Sequence, residues 1–246
     1  MLRVLILGGT GDAAKLAAVV ESIPGIEAII SLAGRTREPS TPAGEVRVGG
    51  FGGVEGLTNY LRQMKIDVLV DATHPFANQI SWHGANAATT VGIPRLMLVR
   101  PAWEKLEDDT WLEVGNITDA AAILENQAKR VFLTIGRQEI ASFADLEGIW
   151  FLMRMIDPPI SDTIIPDGLV LCDRGPFSLE NEREILTKHQ IDTIVSKNSG
   201  GNATYAKIIA ARELGIKVVM VNRPLIPPGE QVADVESAVT WLIERL

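Results

Sequence analysis

The chain has a single cysteine, Cys172, among its 246 residues, so no disulfide can form within it. One thiol is typical of proteins that fold in a reducing compartment, which favours a cytoplasmic location. No run of about 18 apolar residues occurs, so we expect no membrane-spanning helix. The N-terminal residues already have the pattern of a buried strand, and we expect no signal peptide there.

Positive charge is also scarce. The chain carries 23 Lys and Arg against 31 Asp and Glu, a formal net charge of −8. Nucleic-acid-binding proteins normally present a basic face, so this composition argues against that class. No group of His, Cys, Asp and Glu has the spacing of metal ligands, and no metal site is predicted. The length allows one large domain or two small ones.

The first informative stretch is residues 4–17, where four apolar residues lead into a glycine turn and an alanine-rich helical pattern. Its turn, Gly9–Ala14, fits the pattern G-x-G-x-x-G/A, in which small residues let the backbone approach a pyrophosphate. The N-terminus of the following helix would face the phosphates. We therefore predict a cofactor site made of Gly9, Thr10, Gly11, Asp12 and Ala13. The alternative is a purely structural turn between a strand and a helix.

Apolar runs alternate with helical patterns along the chain, which predicts parallel sheets covered by helices on both faces. A polar, acidic stretch after Pro101 interrupts the pattern and marks a boundary. The predicted fold is α/β with two Rossmann-like domains, residues 1–105 and 106–246. Strands are predicted near 3–7, 27–32, 45–48, 67–71, 95–99, 130–135, 150–155, 169–173, 192–196 and 217–221. Helices are predicted near 11–22, 54–64 and 78–91, from 138, and near 178–189, 202–214 and 234–245.

The second predicted strand ends in Ser31–Arg37, where dinucleotide-binding folds place the residue that reads the adenosine ribose. An acidic residue there selects NAD, but this segment contains no acidic residue and carries Arg35 and Arg37. Because a guanidinium group matches a phosphate, we predict that Arg35 and Thr36 contact a 2′-phosphate. The predicted cofactor is NADPH, with NADH as the alternative. The simpler interpretation is that the arginines are solvated loop residues.

Ligands of parallel sheets bind at the carboxyl ends of the strands. The fourth predicted strand ends in Asp71–Ala77, where we place Thr73 beside the cofactor. His74 is predicted to donate a proton or to hold a substrate carboxylate; a histidine that caps the next helix is the alternative. The glycine-rich segment Gly49–Gly53 fits either a backbone that approaches a ligand or a flexible loop.

Cations gather at the predicted strand ends although the chain is acidic. They are Arg35, Arg100, Arg137, Arg154, Arg174 and Lys197. This segregation predicts a polyanionic ligand, although any single member could be an ordinary ion-pair partner. Arg137, Arg154 and Arg174 are predicted to bind substrate, and Lys197 is a second candidate proton donor.

Two further predictions concern the second half of the chain. Ser199, Gly200 and Gly201 are predicted to form an anion-binding turn for the substrate; a helix cap is the alternative. Cys172 lies within an apolar strand and is predicted to be a core residue.

These motifs together resemble one known family. The segments LILGGTGDA, SLAGRT, VRVGGFGG, DATHPFA, RPAW, FLTIGRQ, DRGPF and IVSKNSGG run in order from residue 5 to residue 201. They are similar to segments of the precorrin-6A reductases of cobalamin biosynthesis. The glycine motifs are weak individually, whereas DATHPFA, GRQ and KNSGG taken together are specific.

The resemblance implies two Rossmann-like halves with an active site in the cleft between them. It implies NADPH-dependent reduction of one carbon–carbon double bond of precorrin-6A to give precorrin-6B, or the same reaction on cobalt-precorrin-6A. The acetate and propionate groups of this tetrapyrrole would explain the cationic strand ends. The resemblance also implies hand-off of the product to other enzymes of the pathway.

Two other functions fit the glycine turn. A short-chain-type reductase needs a Tyr-x-x-x-Lys pair, but the residues four after Tyr60 and Tyr205 are Met64 and Ile209. A regulatory protein that senses NADP(H) without chemistry would keep the turn but would not need the cations of the second half.

Overall fold

The structure is a computed structural model that describes residues 1–34, 44–125, 127–159 and 162–246. It divides into two compact units. One unit is Met1–Pro101 together with Pro224–Leu246, and the other is Ala102–Arg223.

The first unit begins with alternating strands and helices. In chain order they are β1 (Leu2–Leu7), α1 (Gly11–Glu21), β2 (Ile26–Leu32), β3 (Glu45–Val48), α2 (Gly53–Gln63), β4 (Val68–Asp71), α3 (Asn78–Val91) and β5 (Arg95–Leu98).

The second unit repeats this alternation. Its elements are β6 (Trp111–Val114), α4 (Ile117–Leu124), β7 (Arg130–Leu133), a short 3-10 helix (Ile140–Phe143), β8 (Trp150–Met155), β9 (Gly168–Cys172), α5 (Leu179–Lys188), β10 (Thr193–Lys197), α6 (Ala206–Glu213) and β11 (Lys217–Val221). The chain then returns to the first unit with β12 (Glu230–Val232) and α7 (Val235–Ile243).

Each unit contains one six-stranded sheet, and every strand pair in both sheets is parallel. The orders are β12-β5-β4-β1-β2-β3 and β6-β11-β10-β7-β8-β9. The winding reverses between β1 and β4 in the first sheet and between β7 and β10 in the second. This is the Rossmann arrangement, in which ligands bind at the point of reversal. The predicted fold class of two Rossmann-like parallel sheets is confirmed.

Apolar side chains cover both faces of the first sheet. Val4 and Ile6 of β1 are fully buried on the face that packs with α1 and α7. Leu5 and Leu7, which alternate with them, are buried on the face that packs with α2 and α3. A strand enclosed on both sides has no solvent face, which explains its uninterrupted apolar sequence.

The units differ from the predicted domains at the C-terminal end, because Pro224–Leu246 belongs to the first unit rather than the second. β12 pairs in parallel with β5, and Trp241 and Leu242 of α7 join the core formed by β1 and α1. The sixth strand of the second sheet is β6, which lies beside β11.

Three elements were not predicted: β6, α4 and β12. The helix predicted from residue 138 is only a short 3-10 helix. Among the described residues, no helix has the length and apolarity needed to cross a membrane. In that same part of the chain, no three His, Cys, Asp or Glu side chains are grouped as a metal site would need.

Candidate active site

The predicted cofactor turn lies at the carboxyl end of β1, at the first unit's point of reversal. Gly9 has a φ of +110°, a conformation that L side chains rarely adopt. A Cβ on Gly9 or Gly11 would meet nothing within 4 Å, so the space beside this backbone is open. The hydroxyl of Thr10 accepts from the Ala13 N–H at 3.1 Å and thereby caps α1.

Thr10 also attaches this turn to the neighbouring strand. Its hydroxyl donates to the carbonyl of Ala72 at 2.7 Å, directly after β4. Asp12, in the first turn of α1, forms an ion pair with Arg100 at 3.0 Å. The structure therefore brings the five predicted cofactor residues together at the N-terminus of α1, and it joins one of the predicted strand-end cations to them.

Thr73 and His74 follow the end of β4, and Leu7 of β1 lies opposite Asp71 in the sheet. Thr73 donates to Asp71 Oδ1 through its backbone N–H at 3.1 Å and its hydroxyl at 2.7 Å. His74 Nδ1 accepts from the Phe76 N–H at 3.2 Å. A neutral imidazole whose Nδ1 accepts carries its proton on Nε2.

Arg47, for which no role was predicted from the sequence, holds the glycine-rich segment after β3. Its guanidinium group donates to the carbonyls of Gly49 at 2.6 Å and Gly50 at 2.7 Å and lies 3.7 Å from the centre of the Phe51 ring. Two carbonyls of this segment are thus held by one side chain. The predicted phosphate contacts, Arg35 and Thr36, lie outside the described residues.

In the second unit, Lys197 ends β10 at the point of reversal and forms an ion pair with Glu139. The turn that follows contains Gly200 and Gly201, with φ of +68° and +72°. Both values lie in the left-handed region, which favours glycine. The anion-binding role of this turn stays a prediction.

Two side chains outside the predicted set fix this turn. Arg223 donates to the carbonyls of Asn198 at 2.8 Å and Ser199 at 3.1 Å. Trp103 Nε1 donates to the Gly201 carbonyl at 2.8 Å. Neither residue belongs to a strand or a helix, and both are distant in sequence, so only the folded chain shows the connection.

Arg137 and Arg174 follow β7 and β9, at the strand ends where they were predicted. Arg174 is exposed and Arg137 is half-buried. Their positions agree with contact to a ligand at the carboxyl edge of the second sheet.

Arg154 does not agree with its predicted role as a substrate ligand. It is 6% exposed and makes a bidentate ion pair with Glu182, whose exposure is 0%. Its guanidinium group also lies 3.7 Å from the centre of the Phe177 ring. The side chain is therefore paired with α5 in the interior and does not reach a substrate at the strand end.

A second buried cation, Lys207 of α6, belongs to the same cluster. The pKa of Lys207 is lowered to about 7, mainly by burial and also by the positive charge of Arg154, while the charge of Glu182 acts in the opposite direction. Its ammonium group lies 5.3 Å from the centre of the Trp103 ring. An amphipathic helical pattern does not reveal which lysine will be enclosed, so the sequence carried no signal for this group.

The prediction that Cys172 is a core residue is wrong. Cys172 is exposed rather than in the core, because β9 is the edge strand of its sheet.

The two sheet orders, with a glycine turn and polar residues at the points of reversal, define a protein of the Rossmann class. More particularly, the chain belongs to the family described as "Precorrin-6x reductase CbiJ/CobK", whose model matches residues 3–243. It is an oxidoreductase of that family.

Similar proteins match over nearly the whole chain. A precorrin-6A reductase of Rhodococcus erythropolis is 49% identical over 243 residues, 98% of each chain. The solved structure of "CobK precorrin-6A reductase" superposes with a TM-score of 0.93 at 38% identity, covering 99% of this chain and 97% of that one. A more distant relative, the cobalt-precorrin-6A reductase of Priestia megaterium, is 26% identical over 255 residues, 98% of each chain.

Proposed function

We propose that this protein reduces one carbon–carbon double bond of precorrin-6A with NADPH and so forms precorrin-6B in cobalamin biosynthesis. The observation that carries the proposal is the near-complete match to a relative named precorrin-6A reductase. The product would then pass to another enzyme of the same pathway.

The residues of the first unit fit a dinucleotide. The N-terminus of α1 offers backbone N–H groups at the end of β1, and open space surrounds Gly9 and Gly11 where side chains would otherwise stand. Gly9, Thr10, Gly11, Asp12 and Ala13 would hold the pyrophosphate of NADPH. Arg35 and Thr36 would bind its 2′-phosphate, which separates NADPH from the alternative, NADH.

The cofactor, when bound, supplies a hydride; the chain supplies charge, orientation and a proton. Arg137, Arg174 and the turn Ser199–Gly201 would bind the carboxylates of the tetrapyrrole. Thr73 would orient the reactive end of the cofactor.

His74 and Lys197 are the candidate proton donors. Nε2 is the ring nitrogen of His74 that would transfer a proton, because Nδ1 accepts from the Phe76 N–H. Lys197 holds its proton on Nζ, beside Glu139. We favour His74, since it follows β4 at the point of reversal of the unit that would bind the cofactor.

The metal-free substrate is the better supported of the two forms. The Rhodococcus relative, named for precorrin-6A, is 49% identical, whereas the Priestia relative, named for cobalt-precorrin-6A, is 26% identical at the same coverage. We therefore propose metal-free precorrin-6A as the preferred substrate.

The test is a spectrophotometric assay with metal-free and cobalt-bound substrate side by side, each with NADPH and with NADH. We expect the fastest oxidation with NADPH and metal-free precorrin-6A. Faster turnover of the cobalt form would reverse the substrate assignment. NADPH binding without oxidation on either substrate would favour the regulatory alternative and refute the proposed reaction.

A further inference from the structure

Asp71 lies at the end of β4, directly before the turn that carries Thr73 and His74, and the proposed reaction gives it no role. Its side chain is only 2% exposed. Oδ1 accepts from both the backbone N–H and the hydroxyl of Thr73, at 3.1 and 2.7 Å. One carboxylate oxygen therefore fixes the backbone and the side chain of the residue before His74.

Two backbone N–H groups that follow His74 in the turn donate hydrogen bonds to it. The carbonyl of His74 accepts from the Ala77 N–H at 2.7 Å, and its Nδ1 accepts from the Phe76 N–H at 3.2 Å. The Thr73 hydroxyl lies 3.4 Å from the hydroxyl of Ser81 in α3. The direction of the imidazole thus depends on a short segment whose N-terminal end is attached to Asp71.

The second carboxylate oxygen of Asp71, Oδ2, differs from Oδ1 in its hydrogen bonding. Oδ2 is buried and has no hydrogen-bond partner among the described residues, and the same holds for Arg95 Nη1. Burial lowers the pKa of the Arg95 guanidinium, and the negative charge of Asp71 opposes that effect. A turn that needed only an acceptor could use asparagine without the cost of burying a charge. Oδ1 holds the turn through the two hydrogen bonds from Thr73, and the carboxylate charge opposes the lowered pKa of Arg95.

We propose that Asp71 is a positioning residue for His74, which acts by fixing Thr73 through Oδ1. The inference rests on the proposed function only for the role of His74 as proton donor.

Asp71→Ala removes the acceptor, whereas Asp71→Asn keeps an oxygen that accepts the same two hydrogen bonds but loses the charge. We expect Asp71→Ala to lower kcat about 10- to 100-fold while the KM for NADPH stays within about twofold. Asp71→Asn should retain most of kcat yet unfold at a lower urea concentration, because Arg95 loses its opposing charge. An Asp71→Asn enzyme as slow as Asp71→Ala would overturn the proposal.

A double-mutant cycle with His74→Ala tests whether the two residues act as one unit. We expect Asp71→Ala to cause no further loss of kcat in the His74→Ala background. The same fold loss in both backgrounds would show that Asp71 acts independently of His74. Should Asp71→Ala fail to fold, Asp71→Leu, which has nearly the shape of asparagine but no acceptor, takes its place in the cycle.

NMR titration of the imidazole provides a readout that does not depend on turnover. The chain has three histidines, so His83 and His189 serve as internal references. We expect Asp71→Ala to move the titration midpoint of His74 and leave the other two in place. An unmoved His74 refutes the positioning role, whereas a moved His74 in a chain that never oxidises NADPH refutes only the proposed reaction.

Discussion

Replacement of Lys207 by methionine tests the buried charge cluster of the second unit. Burial, with the charge of Arg154, lowers the pKa of Lys207 from 10.5 to about 7, although Glu182 opposes the change. Lys207 is thus charged in the folded chain only below about pH 7, whereas in the unfolded chain it is charged up to about pH 10.5. Methionine has a similar length and no charge, so it removes this difference.

The magnitude follows from the linkage of protonation to folding. At about 1.36 kcal/mol for each pH unit, the lowered pKa corresponds to a cost of about 5 kcal/mol when Lys207 is fully charged. Between about pH 7 and pH 10.5 the unfolded chain binds the proton more strongly, so the free energy of unfolding rises with pH. We expect Lys207 to contribute a rise of about 2 kcal/mol between about pH 7 and pH 9.

The assay is urea unfolding followed by tryptophan fluorescence at several pH values, for the wild type and Lys207→Met. Subtracting the free energy of unfolding of the wild type from that of the variant at each pH cancels the contributions of groups that titrate alike in both proteins. The variant should be more stable than the wild type below about pH 7, and the difference should shrink as the pH rises. Lys217→Met, at an exposed lysine in the same unit, is the matched control and should keep the wild-type slope. Equal slopes for Lys207→Met and the wild type would refute the reasoning.

Three further predictions concern the first unit. Arg35→Ala should raise the KM for NADPH about 10- to 100-fold and leave that for NADH nearly unchanged, and equal losses with both cofactors would remove Arg35 from its role. His74→Ala should lower kcat about 100-fold or more with NADPH affinity retained, as measured by turnover and by fluorescence titration; full activity would dismiss it as the acid. Gly56→Ala places a Cβ 1.7 Å from the Phe51 carbonyl, so urea unfolding should show a loss of about 1–3 kcal/mol, and an unchanged midpoint would contradict the packing.

The central strands of both sheets were predictable because burial on two faces leaves a plain sequence signature. Val68 and Val70 face one core and Leu69 the other, so all three are apolar. β12, by contrast, contains only Glu230, Gln231 and Val232 and joins the sheet as an edge. A short polar edge strand has no such signature, so only its pairing with β5 reveals it.

The geometry of the candidate cofactor turn was predictable because it is set by a local motif, and its role in binding stays a prediction. The glycine turn of α1 depends on neighbours within a few residues, and the structure places all of them together. The role of Arg154 depends instead on Glu182, which lies 28 residues further along the chain on another element. A cation at a strand end has the same local sequence whether it meets a ligand or a buried carboxylate, so the sequence could not separate the two.

The divided first unit imposes an order on biosynthesis. Its sheet lacks β12 until the ribosome has translated the whole of Ala102–Arg223, so the nascent chain carries β5 as an open edge during that time. Open strand edges invite pairing with other chains, so the exposed edge of β5 raises the risk of aggregation during this interval. Translation arrested after Arg223 would yield a chain that contains the whole second unit. The first unit of that chain would still lack β12 and α7.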